Sequence, residues 1–384
     1  MVTVPAKRTL RVEKLARIYD AEIAPCWGVR FGKLMLRNLF VPDHSQVLDV
    51  SCGTGYPTVE ILRRMSEGSR LIAIDESSAM LDVVRRKVAE LGPLGKKAVF
   101  FRTESAVPKL SFADEVYDLV VCNLGIGDMP SLEAAVRDFA RVAKPGGEVR
   151  CTLPLAGTFD EFHDLYREVL VKHDQHEALD RLERHIARYP TFAQLEGCLE
   201  AAELTGSVEV EEFALLFRSA RELFFAPVIE YGPLADWKAV AGGGQEMQDV
   251  FWYIKEAIDA YFGDRPFHVT VKAGCLIGRK AERTLHDRVI AAPEVRDPRK
   301  PVQPVTPDTI TAPVARAFDA EDRSPFDSLD TSLPFPHDVA TDDFGIHELA
   351  SGDISFECDA DDAGGDPDLD AFANGKNRPH HLAD

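Results

Sequence analysis

The chain has 384 residues, of which 45% are hydrophobic, enough to bury the core of one large domain or two ordinary ones. Its formal net charge is −20, roughly two thirds of it in the last hundred residues, and no Lys/Arg cluster forms a phosphate-binding stripe. That balance argues against DNA or RNA as a partner, because nonspecific affinity for either depends on basic residues.

The seven cysteines are scattered, with no CxxC pair, so neither a disulfide framework nor a metal site is expected. No apolar run is long enough to cross a bilayer, and the first twenty residues carry no apolar signal region. The expected location is therefore cytoplasmic.

In chain order, residues 11–40 read as helical, with a break or kink at Pro25. Alternating units follow. "QVLDV" is a buried strand, and "TVEILRRM" is a helix with Pro57 near its first turn. "RLIAID" is a strand and "SAMLDVVRRKVAEL" a helix, then "AVFFRT" and "YDLVVCNL" are strands and "SLEAAVRDFARVA" a helix. The turn "KPGGE" leads into the strand "EVRCTLPL". Short apolar strands alternating with longer helices predict βαβ units, hence a parallel sheet covered on both faces.

Residues 159–204 read as largely helical, and "VEVEEFALLF" as a strand. "SARELFFAPVIEYG" reads as a helix, "AGGGQ" as a break, "MQDVFWYIKEAIDAYFG" as a helix and "FHVTVKAGCLIGRK" as a strand. His173, His176 and His185 lie in strongly charged helical sequence and read as a solvated face. From residue 285 onward nearly half of all the prolines occur together with many aspartates, a composition expected to stay disordered. The expected organisation is a domain over 1–284, with a helical lid and acceptor region at about 156–265, and an acidic tail over 285–384.

The stretch "VLDVSCGTGYPT" runs from a strand into a glycine turn. No GK[ST] follows the glycines, so nucleoside triphosphates are set aside. A dinucleotide fingerprint would have a third glycine where Thr58 stands, which weakens that reading without removing it. Asp49, at the strand end, would repel a pyrophosphate but can accept from a cationic amine. Asp75 ends the next strand, where a carboxylate can take both hydroxyls of a ribose. An amine-facing acid, two glycines and a ribose-facing acid together describe S-adenosylmethionine.

Those motifs, with "IAIDESSAMLDVVRRK", "FADEVYDLVVCNLGIGDM", "AAVRDFARVAKPGGEV" and "FHVTVKAGCLIGRK" in order, resemble the class I S-adenosylmethionine-dependent methyltransferases. Within them the chain resembles the group that includes the ubiquinone/menaquinone C-methyltransferases and many small-molecule enzymes. The resemblance covers roughly residues 12–155 and the last strand, near 267–280. It implies an α/β, Rossmann-like, doubly wound, seven-stranded sheet, mostly parallel with an antiparallel last strand. It also implies that Asp49, Ser51, Gly53 and Gly55 form the methionine-end loop and that Asp75 binds the ribose. Glu76 and Met80 would flank the adenine, which Glu104 and Ser105 would read. Asn123 and Leu124 would line the site near the sulfonium, and Tyr19 would cap the cofactor. Ser51 departs from the family, which often has glycine there, and Glu104 stands where aspartate is commoner.

Methyl transfer from a sulfonium is an in-line displacement in which proximity and alignment supply most of the catalysis. A base for an oxygen or carbon acceptor would come from just after the fifth strand, where His163, Tyr166 and Glu161 stand. The aromatics of the lid region predict a small, apolar or aromatic acceptor. The alternative is a non-catalytic or regulatory protein of the same fold, acting on a protein partner through its acidic tail.

Overall fold

β1 (Gln46–Val50), β2 (Arg70–Asp75), β4 (Tyr117–Asn123) and the second half of β5 (Ala143–Pro154) are apolar runs that can hide both faces only inside a covered sheet, and β3 (Val99–Thr103) is a more exposed edge strand. The computed structural model describes residues 6–92, 99–263 and 265–282 and places these strands side by side. The tail expected over 285–384 lies outside the described residues.

With β6 (Leu204–Phe217) and β7 (Phe267–Lys280), the strands form a seven-stranded sheet of order β3-β2-β1-β4-β5-β7-β6. The first five strands are parallel, and β7 runs antiparallel to both β5 and β6. The sheet is thus mostly parallel with an antiparallel last strand.

Side chains alternate between the two faces with the period of two that a strand imposes. Val47, Leu71, Ala73, Leu119 and Val121 enter one core, and Leu48, Val50, Ile74, Val120 and Cys122 enter the other. On the first face lie α2 (Gly28–Leu36), α3 (Thr58–Arg64) and α4 (Ser78–Glu90), each contributing buried residues to that core. The second face is covered by α5 (Leu132–Val142) and α8 (Phe192–Ala201), through Val136, Phe139, Leu195 and Leu199. α8 is therefore a sheet-covering helix, although it lies within the region expected to form the lid.

Further helices extend the first core with aliphatic and aromatic residues. They are α6 (Asp160–Lys172), α7 (His176–Ile186), α9 (Ala220–Phe225), α10 (Pro227–Glu230), α11 (Leu234–Ala241) and α12 (Gly244–Phe262). The single helix expected over "SARELFFAPVIEYG" is two. Ala226 is extended (φ −63°, ψ 127°) because the ring of Pro227 disfavours helical backbone in the residue before it. α11 has no counterpart in the sequence reading, since its eight residues lie among glycines and prolines that obscure a short period. The N-terminal segment follows the expected break: α1 (Ala6–Ile18) passes through a π-helical turn, Tyr19–Ile23, before α2 begins.

Arg150 ties α2 to the sheet. It is 5% exposed, and its Nη1 donates to the carbonyls of Met35 (2.7 Å) and Arg37 (2.8 Å) at the end of α2. Its Nε donates to Glu148 at 2.5 Å. A buried cation at a helix C-terminus satisfies carbonyls that have no partner within the helix. Arg150→Met should lower unfolding stability by about 3 kcal/mol, because it leaves those carbonyls buried and unpaired, while Glu148 keeps its ion pair with Arg279. The readout is a lower urea midpoint at unchanged slope. An unchanged midpoint would show that α2 is held without this side chain.

Candidate functional site

The sheet parts where strand order reverses between β1 and β4, and the loops leaving those two strands face each other there. Crevices at such switch points are where open α/β sheets bind ligands. The loop after β1 is shaped by three left-handed residues, Ser51 (φ 55°), Gly53 (φ 53°) and Gly55 (φ 100°). Gly55 has no room for a side chain, since an added Cβ would stand 2.4 Å from Cγ2 of Val84 on α4. At Gly53 an added Cβ would meet only a Tyr19 ring carbon, at 3.9 Å, so the backbone is open to a ligand beneath that ring.

Ser51 occupies the position where the resembling family often has glycine, and its positive φ explains that preference. Its side chain fits because the facing residue is Gly125, where an added Cβ would lie 2.3 Å from the Cβ of Ser51.

Two carboxylates sit behind this loop. Asp75 accepts from the backbone N–H of Gly53 (2.8 Å) and of Ser77 (2.9 Å), so it joins the β1 loop to the start of α4. Burial raises its pKa against those two hydrogen bonds. Asp49 is fully buried beneath the loop, on the face that carries α3. Its Oδ2 accepts from the Thr58 hydroxyl at 2.6 Å, and its Oδ1 has no hydrogen-bond partner. Burial pushes this carboxyl up to about 7, opposed by the Thr58 hydrogen bond and aided by the charge of Asp75.

The cleft above the loop is lined by Tyr19, Ala24, Gly28, Ser51, Cys52, Gly53, Thr54, Tyr56 and Asn123. Of the residues expected from sequence, it brings together Tyr19, Ser51, Gly53 and Asn123. The Tyr19 hydroxyl is pushed up to about 12 by burial and by Asp75 and Asp128. Asn123 is a clasp: its Nδ2 donates to the carbonyls of Gly28 (2.9 Å) and Tyr56 (3.4 Å), and its Oδ1 accepts from Thr152 at 2.7 Å. Leu124 takes a left-handed backbone (φ 72°) and packs into the first core.

At the ends of β2 and β3, Ser105 donates to Glu76, and Glu104 pairs with Arg102 at 2.7 Å. Met80 packs against Ala16, Ala79 and Val83, so its side chain lies under α1.

Tyr56, Ala24, Gly28, Cys52 and Thr54 are lining residues that the sequence reading missed. The signal for Tyr56 was present in "WGVRFG". Gly32 is one turn after Gly28, and an added Cβ there would lie 2.3 Å from the Tyr56 ring. Two glycines four apart on a helix mark a close approach.

The three expected bases do not line the cleft. Glu161 is engaged by β7, accepting from the N–H (2.8 Å) and hydroxyl of Thr270. Tyr166 is fully buried and donates to the Trp237 carbonyl at 2.9 Å, and burial raises its pKa. His163 is 1% exposed, and burial with the charges of His185 and Arg167 lowers it to about 3, so its imidazole is neutral. His185 is also buried, at 8% exposure, and does not belong to the solvated face read from its charged surroundings. Among the described residues no cluster of three or more His, Cys, Asp or Glu is placed to hold a metal ion, and no helix is long and apolar enough to cross a membrane.

A family model described as a methyltransferase domain matches residues 47–147, the span from β1 into β5. A ubiquinone/menaquinone biosynthesis C-methyltransferase from Idiomarina loihiensis is 28% identical over 195 residues, covering 48% of this chain and 72% of that protein. A demethylmenaquinone methyltransferase from Shouchella clausii is 30% identical over 131 residues, covering 34% of this chain and 54% of that protein. Against the second relative, and others of its kind, the chain spans only about half of the relative's length. Among solved structures, the YcgJ protein of Bacillus subtilis matches with a TM-score of 0.43 at 17% identity, over 66% of this chain and 99% of that one. The matched residues 47–147 contain β1, the glycine turn and the Asp75 strand end on which the cleft is built, and the chain carries a methyltransferase domain that resembles the class I S-adenosylmethionine-dependent methyltransferases of the ubiquinone/menaquinone type.

Proposed function

We propose that the chain transfers the methyl group of S-adenosylmethionine to a small aromatic acceptor of the quinol type, by in-line displacement. The observation that carries the donor half is the unpartnered Oδ1 of Asp49, a fully buried carboxylate directly under a loop whose backbone is open at Gly53. A buried acid without a partner calls for a cation, and the amine of a methionine moiety supplies one without bringing a phosphate. Bound there, the cofactor supplies an electrophilic methyl group on a good leaving group.

In this reading Ser51, Gly53 and Asn123 bound the methionine end, and Tyr19 and Tyr56 cover it and exclude water. Asp75 with Glu76, Glu104 and Ser105 forms the nucleoside end. Gly55 and Met80 act through packing, and Leu124 sets the loop after β4. The acceptor class rests on the two relatives named above and on the aromatic side chains that α6 and α11 add beyond Trp27. Labelled S-adenosylmethionine with anaerobic 1,4-dihydroxynaphthalene should yield a methylated ring product. Binding of S-adenosylhomocysteine with no transfer to this acceptor, or to any small-molecule fraction of a cell extract, would instead favour a regulatory role.

Asp49 gives this reading a pH signature. Its folded-state pKa of about 7 lies above the ordinary 3.8, so the unliganded fold holds a proton that the unfolded chain releases. Stability from this group is therefore complete below about 4 and lost as pH rises through about 7. A cationic amine favours the ionised form, so S-adenosylhomocysteine should bind up to about tenfold more tightly per pH unit as pH rises toward 7. Calorimetry from pH 5.5 to 7 should show this slope in the wild type and its loss in Asp49→Asn. Equal slopes in the two proteins would remove Asp49 from the donor site.

The contact between Ser51 and Gly125 predicts a non-additive pair. Gly125→Ala should weaken S-adenosylhomocysteine binding at least about tenfold by displacing the β1 loop, and adding Ser51→Gly should restore most of the loss. Additive effects in the double mutant would show that the two loops do not meet in solution.

A further inference from the structure

Four buried polar atoms without a hydrogen-bond partner lie together on α6, α7 and α11, behind the cleft. They are Nδ1 and Nε2 of His163, Nε2 of His185 and Nε1 of Trp237. The His163 ring centroid lies 5.9 Å from that of His185, 6.1 Å from Trp237 and 6.3 Å from Tyr189. An unpaired buried donor or acceptor costs about 1–3 kcal/mol, and leucine or phenylalanine at these positions would avoid that cost. Such a concentration is accounted for when a ligand completes the hydrogen bonds.

The surroundings connect this cluster to the donor site. Phe159 lies 6.4 Å from His163 and stacks parallel to Trp27 at 6.0 Å, and Trp27 directly precedes Gly28 of the cleft. Arg188, next to Tyr189, acts electrostatically on Asp128 of the loop after β4, and Asp128 acts in turn on Tyr19. Two aromatic rings, Phe159 and Trp27, thus link the cluster to Gly28 in the lining of the cleft.

Its chemistry is selective. Trp237 Nε1 can only donate. Asp236 lies 3.9 Å from His185 Nδ1 and favours a proton on that nitrogen, which leaves Nε2 as an acceptor. A neutral His163 offers one donor and one acceptor. A hydroxyl, which donates once and accepts twice, can satisfy both donors and one of the two acceptors, whereas a bare hydrocarbon leaves every atom unpaired.

Resting on the methyltransfer reading above, we propose that His163, His185 and Trp237 form the polar end of the acceptor site and bind the hydroxyl of a phenol or hydroquinone. The aromatic faces of Phe159 and Tyr189 receive its ring. These residues bind and orient the acceptor, and no proton transfer is assigned to them.

The test compares 1-naphthol with naphthalene as probes, by calorimetry on the full chain loaded with S-adenosylhomocysteine. The wild type should bind 1-naphthol at least about tenfold more tightly, since a site built for a hydroxyl is penalised by its absence. His163→Leu and His185→Leu should reduce the ratio to about one while leaving naphthalene and S-adenosylhomocysteine affinity unchanged. Their thermal midpoints should equal or exceed that of the wild type, because unpaired polar atoms are removed. His163→Gln, which keeps a donor and an acceptor, should retain part of the preference. A ratio that persists in both leucine variants would overturn the inference. So would a wild type that binds S-adenosylhomocysteine but not 1-naphthol. A wild type that fails to bind S-adenosylhomocysteine would instead overturn the donor reading of the cleft.

Discussion

The turn at the end of β1 governs how the segments around it can pack. A parallel strand buried on both faces must leave the sheet at its C-terminal edge without a side chain blocking the gap between β1 and β4. The chain does this with left-handed backbone at residues 51, 53 and 55. Each of these residues sets a condition elsewhere: Gly125 is bare because Ser51 is not, Val84 can close on Gly55, and Tyr19 can lie over Gly53. Asp75 fixes the turn by taking the Gly53 N–H, which also commits the start of α4.

Two buried charges with different satisfaction divide the labour around that turn. Arg150 has its hydrogen bonds filled by Glu148 and the carbonyls ending α2, so it reads as a structural cation. Asp49 keeps one oxygen unfilled, a state a fold tolerates only at the cost of protonation or by meeting a cation from outside. The same distinction separates Tyr166, whose hydroxyl is spent on the Trp237 carbonyl, from His163 six ångströms from Trp237 with both nitrogens free. Residues of similar burial therefore carry opposite implications, and the hydrogen-bond inventory distinguishes them.

Much of this architecture was legible in the residues. The five parallel strands and their covering helices follow from apolar runs of strand length between helices, and the glycine turn follows from its composition. The placement of Asp49, Ser51, Gly53 and Asp75 around that turn was readable because each stands at or just after a strand end, where position along the chain is nearly position in space. Legibility fell where packing between distant segments decides the outcome. Tyr56 enters the cleft because Gly32, twenty-four residues earlier, leaves room for its ring. His185 reads as exposed from the charges around it, yet α7 turns it inward toward His163.

Local periodicity and the residue types at adjacent positions suffice for the class of fold, for the strand that ends in the glycine turn and for the composition of that turn. That Asp49 lies beneath the loop, that Asn123 is a clasp for α2, and that His163, His185 and Trp237 share one unpaired polar cluster emerges from packing between distant segments. Those outcomes depend on which side chains from separate helices meet in the low-dielectric core, and hydrogen bonds left open there are invisible until every neighbour is in place.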